Sequence, residues 1–165
     1  MKDFLQQIKK GLDVDLYYLS LFSALAIPDI CGSMGSENGE ANKEKYKEWF
    51  DKYIAPKYND FLDGEDCYYF RCSLLHQGSS QHVKSNYKRV LFIEPSATTN
   101  IFHNNILNDA LNIDVKIFCN DLVSGAEKWL EENENTDIYK NNYIKFMQRY
   151  PKGLPPYIGG VSVIS

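Results

Sequence analysis

Arg71 and His76 lie five positions apart in one short segment, and their residue types suit acid–base and phosphate chemistry. Histidine exchanges a proton near neutral pH and can serve as a general acid or base. Arginine keeps its charge and can neutralise a phosphorane as it forms. Together they suit cleavage of a phosphodiester by the RNA 2′-hydroxyl without a metal ion. Such a spacing also arises by chance, so the surrounding element must support this interpretation.

The segment that carries the pair is predicted to be a helix from about Glu65 to Gln77. Asp63 can cap its start, and the acidic residues that follow favour the positive end of the helix dipole. Gly78 is a typical C-terminal stop. We therefore expect both side chains to lie on a rigid element.

Arg71 falls in the apolar stripe of this helix. At about 100° per residue it shares a face with Cys67, Leu74 and Leu75, whereas His76 lies roughly 140° further round. A solvated arginine would have a lower free energy on the polar face of the helix. The placement predicts that the stem of Arg71 passes the core edge or that its guanidinium faces a pocket or a partner chain.

Residues 71–78, Arg-Cys-Ser-Leu-Leu-His-Gln-Gly, resemble the signature of the HEPN family (higher eukaryotes and prokaryotes nucleotide-binding). That signature is an arginine, usually a polar residue, a short apolar run and a histidine, often followed by glycine. The match covers about a dozen residues, and beyond them only the helical layout extends it. It departs at Cys72, where active members commonly have asparagine or another polar residue.

The resemblance implies an antiparallel helical bundle and a homodimer that brings two motif helices together around a two-fold axis. It also implies a metal-independent endoribonuclease, in the role of a toxin or defence effector, that leaves a cyclic phosphate and a 5′-hydroxyl. In that role Arg71 would bind the scissile phosphate and His76 would act as general base or acid. Cys72, Ser73 and Gln77 would be supporting neighbours, and no cofactor is implied.

Two alternatives stay open. A catalytically inactive HEPN-like module would bind RNA, a nucleotide or a partner protein such as a nucleotidyltransferase, and Cys72 and the acidic net charge favour it. In a purely structural interpretation, Arg71 pairs with a carboxylate at the core edge, such as Asp66 or Glu65, and His76 caps the helix end.

The charge balance restricts how RNA could be bound. The formal net charge of −4 and the pI near 5.4 argue against a general nucleic-acid coat protein. From residue 67 to residue 93, however, there is no acidic side chain, and Lys84, Lys88 and Arg89 follow the motif. These three are candidate RNA-binding residues, although ordinary solvated charges and edge-strand protection explain them equally well.

The four cysteines show no metal-ligand or disulfide spacing and are typical of a reduced, cytoplasmic protein. Cys72 and His76 are one turn apart, but no second ligand pair accompanies them, so we predict no metal site. The apolar run from Leu16 to Ile27 is predicted to be a buried helix, since acidic residues and serines interrupt it and it is too short to span a bilayer.

The remaining elements complete a prediction for residues 1–165 as a single, mainly α domain of about five helices. The first thirty residues predict an apolar helix interrupted near Gly11 and ended by Pro28, followed by a flexible connection over 31–42. Further helices are predicted over Lys43–Ile54, around 122–130 and over 139–150, and an edge strand is predicted near 161–163. The runs 89–93 and 113–117 predict two strands of a small β-hairpin insertion over 88–119, with a long tip containing His103.

Overall fold

The computed structural model describes residues 1–95 and 101–165 of the chain. Within these ranges there are seven α-helices: α1 (Lys2–Asp13), α2 (Tyr17–Leu25), α3 (Ile27–Met34), α4 (Lys43–Tyr53), α5 (Gly64–Gln77), α6 (Val115–Asn133) and α7 (Asp137–Tyr143). The strands are short: β1 (Arg89–Ile93), β2 (Asn105–Leu107), β3 (Ala110–Asp114), β4 (Arg149–Tyr150), β5 (Gly153–Leu154), β6 (Ile158–Gly159) and β7 (Val163–Ile164). The protein is therefore mainly α, as the sequence predicts, with a small strand component.

The motif helix α5 begins and ends where its cap residues predict. The Asp63 side chain accepts a hydrogen bond from the Asp66 N–H at 2.8 Å, and Gly78 closes the helix in the left-handed conformation at φ 64°. A residue with a β-carbon is strained at that φ, whereas glycine ends the helix without this strain. Cys67 and Phe70 are buried and fix the helix against the core.

Helix α4 follows its predicted amphipathic stripe. The Asn42 side chain caps it through the Lys45 N–H at 2.9 Å, and Tyr46, Trp49 and Phe50 are buried. Tyr46 lies edge-on to Tyr68 of α5, with ring centroids 5.4 Å apart. The two helices therefore position each other.

The N-terminal third differs from the prediction. The chain passes through Gly11 without a break and turns at Asp15, which has φ 59°. Gly11 instead allows α1 and α2 to approach closely, because a β-carbon there would lie 2.5 Å from the Ser20 hydroxyl. Pro28 does not end a helix but lies in the first turn of α3, where its missing N–H costs nothing. The predicted connection over 31–42 is correspondingly shorter, since α3 continues to Met34.

The strands also pair differently from the predicted hairpin. β1 and β3 are parallel, with Val90 opposite Leu111, and β2 pairs with β3 in the antiparallel direction. The hairpin is thus formed by β2 and β3. The predicted strand over 113–117 ends at Asp114, whose side chain accepts from the Ile117 N–H at 2.9 Å and starts α6 earlier than the sequence predicts. The predicted long tip lies partly outside the described residues.

Helix α6 is the centre of the core and packs against α1, α2, α3 and α4. Phe118, Leu122, Val123 and Ala126 on this helix are fully buried. Helix α7 is shorter than the predicted helix over 139–150, because Arg149 and Tyr150 pair with Val163 and Ile164 as the antiparallel strands β4 and β7. In the described ranges, no helix combines the length and apolar character needed to cross a membrane.

Candidate functional site

The structure brings Arg71 and His76 together at the C-terminal end of α5. Nη1 of Arg71 lies 3.5 Å from Nε2 of His76. The His76 side chain is exposed, whereas only 20% of the Arg71 side chain is accessible. The long arginine side chain thus bridges the angle between the two positions on the helix.

The guanidinium of Arg71 is held from the other side by Asp29 of α3. Nη2 of Arg71 and Oδ2 of Asp29 are 2.5 Å apart, and 14% of the Asp29 side chain is exposed. The ion pair is therefore largely shielded from water. It also links the motif helix to the N-terminal third of the chain.

The identity of this carboxylate corrects the structural interpretation made from the sequence. Asp66 does not bind Arg71 but accepts hydrogen bonds from the backbone and side chain of Asn86, at 3.0 and 2.8 Å. Glu65 binds Lys43 and Lys47 of α4. Asp29 is not predicted from the sequence, because Pro28 is expected to end a helix. A lone carboxylate among apolar residues was the available signal.

Burial and charge act in opposite directions at this pair. Burial raises the pKa of Asp29 above its usual range, and the neighbouring Arg71 charge only partly offsets this. For Arg71, burial works against the charged form, but Asp29 and Cys72 outweigh it and raise the pKa of the guanidinium. Arg71 therefore remains a cation.

The contact with His76 also constrains the proton arrangement. A guanidinium only donates hydrogen bonds, so Nε2 of His76 faces Arg71 with its lone pair when the imidazole is neutral. That arrangement leaves the ring proton on Nδ1. In this structure the basic lone pair of His76 therefore points at the guanidinium of Arg71.

The supporting residues named from the sequence divide into two groups. Cys72 joins the pair, with its Sγ 3.8 Å from Nη1 of Arg71. Ser73 is buried at 1% exposure and its hydroxyl has no hydrogen-bond partner among the described residues, so it belongs to the core side of α5. Gln77 is exposed beyond His76.

The candidate RNA-binding residues lie apart from the pair. The segment after Gly78 runs back along α5 towards its start. His82 stacks on Tyr69 with 4.6 Å between ring centroids, and further along the chain Asn86 donates a hydrogen bond to Asp66. Asp66 is about 15 Å along the helix axis from His76.

Lys84, Lys88 and Arg89 are exposed, and in the described ranges no hydrogen bond or ion pair joins them to Arg71 or His76. The ammonium group of Lys84 lies 5.5 Å from the centre of the Tyr69 ring. Tyr69 is two positions before Arg71 on α5, so its side chain lies on nearly the opposite face of the helix. Lys88 pairs with Asp109 at 2.6 Å. A phosphate at Arg71 would therefore meet little additional positive charge from this segment.

Other titratable residues do not extend the site. Cys31, Cys67 and Cys119 are buried, and over residues 1–95 and 101–165 no group of three or more histidine, cysteine or acidic side chains is arranged to hold a metal ion. His103 is half-buried with its ring edge against Tyr58, at 5.4 Å between centroids. Burial lowers the pKa of His103.

Comparison with known proteins gives no significant match to a family model, a curated protein or a solved structure.

Proposed function

We propose that this protein is a metal-independent endoribonuclease of HEPN type, with Arg71 and His76 as its catalytic residues. The observation that carries the proposal is the 3.5 Å contact between the two side chains at the exposed end of α5. A base and a permanent cation next to each other are what 2′-hydroxyl attack on a phosphodiester requires. The resemblance of residues 71–78 to the HEPN signature supports the same assignment.

The proposed reaction uses the two groups at different atoms. The substrate first replaces the contact between Nη1 of Arg71 and Nε2 of His76. Nε2 then takes the proton of the 2′-hydroxyl, whose oxygen attacks phosphorus, while Nη1 neutralises a phosphoryl oxygen. The P–O5′ bond breaks, leaving a 2′,3′-cyclic phosphate on one product. The 5′-oxygen of the other product leaves as a hydroxyl after protonation.

The departing 5′-oxygen needs a proton donor distinct from the base. We propose that a second copy of His76, supplied by a homodimer with its motif helices facing, provides it. The exposure of His76 is compatible with such an arrangement. An enzyme of this kind would suit the role of a toxin or defence effector.

A second candidate is a catalytically inactive module that binds RNA, a nucleotide or a partner protein. Three observations favour the loss of catalysis: Asp29 offsets the charge of Arg71 at 2.5 Å, no hydrogen bond or ion pair within residues 1–95 and 101–165 joins the basic residues after the motif to Arg71, and the chain is acidic overall. In this case Arg71 would contribute little to phosphate binding, and RNA would be retained on another surface without being cut.

The test is incubation of the wild-type protein with mixed single-stranded RNA in EDTA, with analysis of the product ends. Arg71→Ala and His76→Ala are compared with His82→Ala, which removes a histidine of the following loop. Cleavage with cyclic phosphate ends that both motif variants abolish and His82→Ala retains would support the nuclease.

Two other outcomes would decide against it. Cleavage by His76→Ala at the wild-type rate would refute the catalytic assignment. RNA retention on a filter without any product would favour the binding module. Circular dichroism melting of each variant separates a loss of chemistry from a loss of fold.

A further inference from the structure

One cavity of the described residues lies away from Arg71, between the start of α1, helix α7 and the strands β4 and β7. Its volume is about 710 Å³, within the range of about 300–1,000 Å³ typical of small-molecule sites. Ile30 of α3 forms part of its wall. Because Asp29 precedes Ile30 by one helical position, the cavity and the Arg71 pair lie on different faces of α3.

A stack of aromatic rings forms one side of this cavity. The ring centroids of Tyr139 and Tyr143 are 5.3 Å apart with planes inclined by 16°, and those of Tyr143 and Phe146 are 5.9 Å apart at 19°. Tyr139 is buried, whereas Tyr143 and Phe146 are half-buried. Because the three rings partly cover one another, the half-buried Tyr143 and Phe146 are the ones with aromatic surface left for a ligand, and a planar ring packs well against such surface.

Apolar side chains at the rim of the cavity are exposed to water. Met147 and Ile164 line it, with 67% and 68% of their surfaces exposed. A bound ligand would remove part of this apolar surface from water. Each such contact would add to the free energy of binding.

The charge at the rim selects among planar ligands. Lys2 and Glu134 neutralise each other at 2.7 Å. The exposed Asp3 carboxylate and the Met1 amino group, which donates to the Tyr143 hydroxyl at 3.3 Å, also line the cavity and are of opposite charge. Arg149 of β4 is exposed, and in the described part of the chain it has no carboxylate within 4 Å, only the Ser162 hydroxyl at 3.5 Å from its Nε. Arginine is suited to binding carboxylate and phosphate groups.

We propose that this cavity binds a small planar aromatic ligand with one anionic group, its ring against Phe146 and Tyr143 and its anion at Arg149. The site is separate from the proposed nuclease pair and does not depend on it. The ligand class follows from the ring stack, the apolar rim and the cation that no carboxylate neutralises.

The experiment measures binding of two probes, 2-naphthoate and the neutral 2-naphthylmethanol, to the full chain by calorimetry and saturation-transfer NMR. Both are expected to bind saturably, naphthoate more tightly. Arg149→Gln is expected to weaken naphthoate about three- to fivefold, as for an exposed charge contact, and to leave the alcohol unchanged. Phe146→Leu should weaken both probes by about three- to tenfold.

Matched variants keep the test decisive. Arg89→Gln removes an exposed arginine from β1 and should change neither affinity, and Arg149→Lys should restore part of the naphthoate binding. The absence of saturable binding by either probe, or equal affinity in the wild type and Phe146→Leu, would overturn the proposal. Equal naphthoate affinity in the wild type and Arg149→Gln would overturn the anionic part of it. Thermal unfolding of each variant confirms that the fold is retained.

Discussion

At the scale of single residues, the ion pair with Asp29 determines which nitrogen atoms of Arg71 remain accessible. Nη2 forms an ion pair with Oδ2 of Asp29 that lacks hydrogen-bond geometry, Nε is buried without a partner among the described residues, and Nη1 faces His76. A phosphate would therefore approach through Nη1, on the exposed side of α5. Asp29 both orients the guanidinium and reduces its net charge.

Removal of either partner alone is expected to destabilise the protein. Arg71→Ala leaves a shielded carboxylate uncompensated, and Asp29→Asn leaves a shielded guanidinium uncompensated. A buried pair costs about 3–5 kcal/mol when broken, and the residual exposure of this pair lowers our expectation to about 1–3 kcal/mol. Urea unfolding measures the free energies.

The double variant Arg71→Ala/Asp29→Asn should cost less than the sum of the single variants, because no charge is left unpaired. Lys88→Ala provides a control, since its ion pair with Asp109 is exposed and should contribute little. Additive costs in the double variant would show that the two side chains do not stabilise each other.

The residue scale also shows what the sequence could not supply. The types of Arg71 and His76 and their common helix were predictable, as was the need for a carboxylate beside an arginine in an apolar stripe. Which carboxylate was not predictable, because Asp29 is 42 positions away and reaches α5 only through the packing of α3.

At the scale of secondary structure, elements with strong local signals were predictable. Helix α5 has an acidic cap residue and a terminal glycine, and α4 has a regular aromatic stripe. The parallel pairing of β1 with β3 was not predictable, because the alternation of residues along a strand does not determine the direction of its partner strand. Asp114 alternates like a strand residue yet caps α6, so the local pattern fits both structures.

The contact between α4 and α5 is expected to depend on pH. Lys43, Lys47 and Tyr69 surround Glu65 and lower its pKa to about 2. Since its pKa is lower in the folded chain than in the unfolded chain, Glu65 stabilises the fold above pH about 4.5, and this contribution is lost as the pH falls towards 2. Glu65→Gln should therefore be less stable than the wild type at pH 6.

The measurement is chemical unfolding of the wild type and Glu65→Gln between pH 2 and pH 7. Their difference should shrink on acidification and in high salt, because the group is exposed. Glu44→Gln, an exposed position on α4, serves as the control and should follow the wild type throughout. If the difference in the free energy of unfolding between the wild type and Glu65→Gln stays constant with pH, the substitution acts through packing and not through the loss of the Glu65 charge.

At the scale of the whole molecule, the net charge is acidic and the basic residues after α5 lie apart from Arg71. For the proposed function, these two features predict that RNA binding depends only weakly on salt concentration. Each phosphate contact with single-stranded RNA contributes roughly −0.7 to the slope of log K against log salt concentration. With Arg71 as the main contact, we expect a slope of about −0.7 per site. Arg71→Ala should flatten it by about 0.7, and Arg89→Gln and Lys84→Gln should leave it unchanged.

Fluorescence anisotropy of a labelled RNA over a range of salt concentrations, with His76→Ala as background to suppress cleavage, gives these slopes. A steep slope that Lys84→Gln and Arg89→Gln reduce would move the RNA interface to the basic segment that follows α5. Because Asn86 anchors that segment at the opposite end of α5 from His76, such a result would favour retention of RNA over its cleavage. The salt dependence of binding therefore distinguishes the nuclease from the binding module without requiring any product to be formed.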